Sequence, residues 1–121
     1  MQLAANVATA VVALLHAYIL VLEMFLWNRA VKVFGVPRDL WDNTLIQTML
    51  KNQGLYNGFL AAGLVWGLLH PDPEVGFQVK LFFLSAVAVA GIYGAMTAKV
   101  QILFIQTVPA AIAIGLLFFA R

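Results

Sequence analysis

The chain has 121 residues, 64% hydrophobic and 10% charged, with a formal net charge of +2 and no cysteine. Soluble domains are about half apolar and about a quarter charged, so this composition excludes a water-soluble globule. The missing thiols exclude disulfides, thiolate metal sites and Cys nucleophiles, and the scattered Lys and Arg form no basic run for nucleic acid.

The charges are segregated along the chain. Before Trp27 the only acidic, basic or imidazole side chains are His16 and Glu23, and the stretches 53–69, 81–98 and 100–120 carry no charge at all. A bilayer core takes roughly 20 mostly apolar residues per helical span, and four such stretches fill the chain. The first predicted helix runs from Leu3 to about Asn28. It lacks the basic start, short apolar stretch and small-residue cleavage site of a signal peptide, which predicts that it stays in the membrane. Gly35 and Pro37 then break the chain. Asp39 reads as the N-cap of a second helix over 39–69, with Asp42 favourable for its dipole. The first turns of that helix lie in water or headgroups, and its membrane part begins at about Gly54. "HPDPEVG" reads as a tight turn, followed by helices at about 77–97 and 100–120. Only Ala98 and Lys99 link the last two, which makes them antiparallel neighbours. The expectation is a single all-α domain over 1–121, an integral membrane four-helix bundle, up-down-up-down, whose long second helix starts in the cytoplasm. Arg29, Lys32, Arg38, Lys51 and Lys99 fall on one side, against Lys80 and Arg121 on the other. The positive-inside bias puts the first side in the cytoplasm and both termini outside.

Within the spans, depth is the informative coordinate. At 1.5 Å per residue, Glu23 lies roughly 6 Å inside the Trp27 interface. Asn57, with Asn52 and Gln53 just above it, falls at a similar level on the second helix. Tyr93 falls there on the third and Gln106 on the fourth, where the following Pro109 frees the Ile105 carbonyl. His16 is the exception, near the midplane. Thr9, His16 and Glu23 are spaced by seven and share a face. The small-xxx-small pairs Gly54/Gly58 and Gly63/Gly67 allow close approach to the second helix, and a ring such as that of His16 could fit over Gly63.

An ionisable group inside a bilayer costs roughly 2.5–3.5 kcal/mol, so it marks a site by default. The bland alternative is hydrogen-bond glue between helices, the reading weighed for Asn6, Thr9 and Gln101 and also for Glu23 bonded to Asn57 or Tyr93. Trp27, Trp41 and Trp66 read as interfacial or packing residues. His16 and Glu23 are about 10 Å apart along one helix, too far to share a metal. Haem needs only one axial His, a role open to His16. Ser85 is the only serine, which excludes triad chemistry. What remains is a carboxyl group, amides and phenols around a dry pocket. That suits proton transfer, hydrogen-bond polarisation of a lipophilic substrate, or simple ligand binding.

"LLHAYILVLEMFLW", "NQGLYNGFLAAGL", "AGIYGAMT" and "QTVPA" together resemble the bacterial family catalogued as domain of unknown function 1304. The positions that carry the resemblance are His16, Tyr18, Glu23, Met24, Trp27, Asn52, Gln53, Gly54, Tyr56, Asn57, Gly58, Gly91, Tyr93, Gly94, Gln106 and Pro109. The resemblance implies a small four-helix protein of the bacterial inner membrane and brings no activity with it. The long second helix is also similar in layout to the membrane-associated eicosanoid and glutathione metabolism enzymes and to styrene oxide isomerase. That likeness implies a homo-oligomer, a trimer or dimer, with sites on the cytoplasmic side. The chain departs from those patterns in lacking an arginine-rich motif before the Asn and in carrying its buried His on helix one.

These readings converge on a polar pocket in the cytoplasmic half of the bilayer, binding a lipophilic small molecule or haem. Glu23, Asn57 and Tyr93 are the candidate catalytic groups, and His16, Asn52, Gln53, Tyr56 and Gln106 the candidate ligand contacts. A small proton-coupled exporter is the rival, since small multidrug resistance proteins are similar in length and in having one carboxylate on helix one. A structural partner for other membrane proteins is the third reading.

Overall fold

Long apolar runs without internal proline become long helices. The structure is a computed structural model that describes residues 1–121, and it is all helical with no strand. The elements are α1 (Gln2–Phe25), α2 (Trp27–Val33), one 3₁₀ turn (Arg38–Leu40), α3 (Thr44–Leu69) and α4 (Pro73–Thr97). A π-helical turn (Leu103–Thr107) then leads into α5 (Val108–Ala120). Three helical stretches are long and apolar enough to cross a membrane: α1, α4 and Leu103–Ala120. At 1.5 Å per residue they reach about 36, 38 and 27 Å, against a hydrocarbon core of about 30 Å. α3 has 26 residues but is diluted by Gln47, Lys51, Asn52, Gln53 and Asn57, and is not among them.

The chain divides into two compact units. The first comprises Met1–Leu14 and Leu60–Arg121. Its core combines Ala5, Val12 and Ala13 of α1, Leu64 of α3, Leu84 and Val87 of α4, and Ala110, Ala113 and Leu117 of α5. α3 and α4 pack antiparallel, Gly63 under the ring of Phe83 and Gly67 against Val79 and Lys80. α4 and the last helix also run antiparallel, with Gly94 beside Ile102, Gly91 beside Thr107, and Phe77 edge-on to Phe118 at 5.4 Å. Phe82, Val89, Ile92, Met96, Phe104, Ile112 and Phe119 point outward, the distribution expected where the surrounding solvent is lipid.

The second unit is Leu15–Phe59. The end of α1 packs antiparallel on the start of α3, Leu20 over Gly58 and Met24 against Gly54. Between them lies a corner tied by side chains. The Trp27 indole donates to the Trp41 carbonyl (2.9 Å), the Trp41 indole to the Val36 carbonyl (2.8 Å), and the Gln47 amide to the Trp41 carbonyl (3.0 Å). Gly35 takes φ +68° to end α2. Its N–H bonds Lys32 O and that of Val36 bonds Val31 O, the Schellman pattern that a residue without Cβ accommodates.

The observed helix ends correct the sequence-based expectation at four places. The first helix stops at Phe25 rather than Asn28: the Leu26 amide is shared between Val21 O and Leu22 O, and the helix restarts as α2. The second helix begins at Thr44, and its cap is Asn43, whose Oδ1 accepts from Ile46 N at 3.1 Å, rather than Asp39. Pro37 and the 3₁₀ turn occupy the residues around Asp39, and the Trp41 carbonyl is committed to side chains. The third helix starts at Pro73, four residues before Phe77. Asp72 accepts from Glu74 N and Val75 N, and proline suits a first helical position because its missing N–H would have no partner there. The fourth is interrupted by the π turn, where Thr107 Oγ1 donates to Ala88 O at 2.9 Å.

Candidate functional site

Glycines position the polar pair of the second unit. A Cβ on Gly54 would lie 2.7 Å from Met24 Cγ and 3.0 Å from Glu23 Cβ. One on Gly58 would overlap Leu20. The absence of these side chains lets α3 lie close against α1, and it brings Asn57 under Glu23. Asn57 Nδ2 donates to Glu23 Oε1 at 2.8 Å and to the Gln53 carbonyl at 3.0 Å. An amide NH₂ has two donors, so both are used. Glu23 Oε2 and Asn57 Oδ1 are the acceptors left for another group. The Glu23 side chain is only 9% exposed, and its carboxyl is fixed in direction by the amide.

The other expected residues fall elsewhere. Asn52, Gln53 and Tyr56 lie on the same α3 segment with exposed side chains, and the Tyr56 ring stands 6.2 Å from that of Phe59. Tyr93 and Gln106 belong to the first unit. Tyr93 projects outward, 68% exposed, and Gln106 lies in the π turn with its Cβ facing Gly91. Of the candidate catalytic set, Glu23 and Asn57 are therefore the two that a hydrogen bond joins. Thr9 is buried and donates to Ala5 O at 2.8 Å on its own helix, a structural role. The ring over Gly63 is that of Phe83, not His16.

His16 is 0% exposed, and its Nε2 is sealed from solvent. An axial ligand must present that nitrogen to an iron at the centre of a flat macrocycle. A side chain packed on all sides has no room for one, so the residues present do not fit haem. No three His, Cys, Asp or Glu side chains come together as a chelate.

Sequence reasoning did not bring Lys80 and Asn6 together; they meet in the first unit, with Lys80 Nζ donating to Asn6 Oδ1 at 3.2 Å. With the third helix expected to start at Phe77, Lys80 counted as an interfacial charge. The Asp72–Pro73 cap signal, read as a helix start, places it two turns inside the helix.

The family described as protein of unknown function (DUF1304) matches residues 10–118. The uncharacterized protein YpaA of Lactococcus lactis subsp. lactis (strain IL1403) is 30% identical over 115 residues, which span 93% of this chain and 95% of that protein. No solved structure matches.

Proposed function

We propose that this protein, which belongs to the DUF1304 family, is a four-span protein of the bacterial inner membrane that binds a lipophilic small molecule at Glu23 and Asn57. In this reading α3 is the fourth span, both termini lie outside, and the four helices form an up-down-up-down bundle that assembles as a homo-oligomer. The observation that carries it is the Asn57–Glu23 hydrogen bond at 2.8 Å that joins α3 to α1. Sites for small molecules are mostly apolar, with a few placed polar groups that set orientation, and this pair supplies them. The amide aims the carboxyl, and the carboxyl meets a hydroxyl, amine or carbonyl of the ligand. A carboxyl at that distance is also equipped to give or take a proton.

The experiment is to purify the wild type, Glu23→Leu and Asn57→Leu in mild detergent and identify co-purified small molecules by mass spectrometry. A bound apolar compound that both substitutions deplete about tenfold, the scale of one hydrogen bond to a charged group, supports the site. Variants that are more stable and carry the same compounds would show that the pair is only glue between helices. The exporter reading draws on the same carboxylate, the only acidic side chain of α1. Uptake into proteoliposomes that follows an imposed proton gradient and stops in Glu23→Gln would favour it instead.

A further inference from the structure

The first unit contains a second polar feature, built around a buried lysine. Lys80 is 6% exposed. Its stem runs over Gly67, where a Cβ would lie 2.7 Å from Lys80 Cγ. A membrane lysine normally extends its stem along apolar surface so that its ammonium reaches water. This one ends on the neutral amide oxygen of Asn6, and no carboxylate pairs with it. Glu74, which lines the same cavity as Lys80, is taken by Arg121 at 2.7 Å, and that guanidinium also covers the Phe77 ring at 4.2 Å. An ammonium has three donors, and Asn6 satisfies one.

This cavity beside Lys80 has a volume of about 450 Å³, and Asn6, Gly67, His70, Gly76, Phe77, Leu117 and the paired Glu74 and Arg121 help to line it. The two glycines leave part of its wall without side chains. A Cβ on Gly76 would lie 2.9 Å from the Gly67 carbonyl oxygen, so α3 and α4 pass each other closely there. Lys80 is thus a buried lysine with no carboxylate bonded to it, beside open volume whose one carboxylate, Glu74, is already held by Arg121. With aromatic and aliphatic side chains next to it, it has the chemistry to hold an anion attached to a hydrocarbon chain. We propose that this cavity binds the oxyanion head of an amphiphile, a carboxylate or a phosphate, on the Lys80 ammonium, with the apolar chain leaving past Phe77 and Leu117. Lysine holds such groups as a point charge rather than through a geometric fork, so both heads are accommodated. This site is independent of Glu23 and Asn57 and shares no residue with them.

The test is native mass spectrometry of the full chain released from non-ionic detergent. It is titrated separately with dodecanoate, dodecanol, phosphatidylglycerol and inorganic phosphate. One saturable adduct with dodecanoate or phosphatidylglycerol is expected, with dodecanol bound at least about tenfold more weakly, the scale of one charge-assisted hydrogen bond. Dodecanoate alone would assign a free fatty carboxylate, phosphatidylglycerol alone a lipid headgroup, and both together the shared oxyanion chemistry. Lys80→Met should lower the affinity by a similar factor, while Lys51→Met, at an exposed lysine outside the cavity, should leave the adduct unchanged. Should Lys80→Met fail to fold, photolabelling of the wild type with a diazirine-bearing fatty acid decides the question, with Phe77 or Leu117 as the expected sites of labelling. Equal binding of dodecanol and dodecanoate, adducts with inorganic phosphate only, or labelling confined to other residues would overturn the proposal.

Discussion

Gly54 faces Met24 and the Cβ of Glu23 at distances that no side chain of its own could share. Replacing it with Val should push α3 away from α1 and break the Glu23–Asn57 bond. Forcing extra atoms into a packed contact costs about 1–3 kcal/mol, and thermal unfolding in detergent would read it as a lower midpoint. Gly54→Ala should cost less than Gly54→Val, because it brings one added carbon rather than three into the contact. The small-xxx-small spacing made this close approach legible in the sequence; counting depth along ideal helices put Glu23 level with both Asn57 and Tyr93, and the packing of α3 on α1 selects Asn57. The same count could not pair Lys80 with Asn6. Their meeting depends on where α4 begins, and a shift of four residues at its start turns an interfacial lysine into a buried one.

Helix ends are decided by a few side chains, and some of those act from a distance. The Asp72 cap and Pro73 are local signals that sequence reading can use. The start of α3 is not, because the Trp41 carbonyl is held by the indole of Trp27, 14 residues earlier. Asn43→Ala should therefore lower stability by about 1 kcal/mol, the usual cost of a lost N-cap. Asp39→Ala, at an exposed position in the 3₁₀ turn, should stay within about 0.5 kcal/mol of the wild type. Thermal unfolding of the two variants separates the caps. The π turn follows the same logic. Pro109 signalled an irregularity in the last helix, but its register is set by Thr107, whose hydroxyl reaches Ala88 O while its main chain lies over Gly91. Thr107→Val keeps the shape and removes the bond, with an expected loss of about 1 kcal/mol.

At the scale of the whole molecule, composition alone announced an all-helical chain suited to lipid, and three helices have the length and apolarity to cross a membrane. The amide-rich α3 is where hydropathy stops being decisive, because the residues that dilute it include the candidate site itself. Because the chain has no cysteine, single replacements can map its path. Lys51→Cys and Lys99→Cys should react with a membrane-impermeant maleimide only in inside-out vesicles, and Glu74→Cys only in intact cells. Labelling of all three from one side would rule out the four-span arrangement. The corner after α1 has a practical consequence of its own. Two of the three tryptophans of the chain have their indole N–H groups locked onto main-chain carbonyls there. Indole emission shifts when such a bond is exchanged for water, so the unlabelled protein carries an optical gauge of that corner. Any compound or voltage that loosens it should announce itself as a red shift.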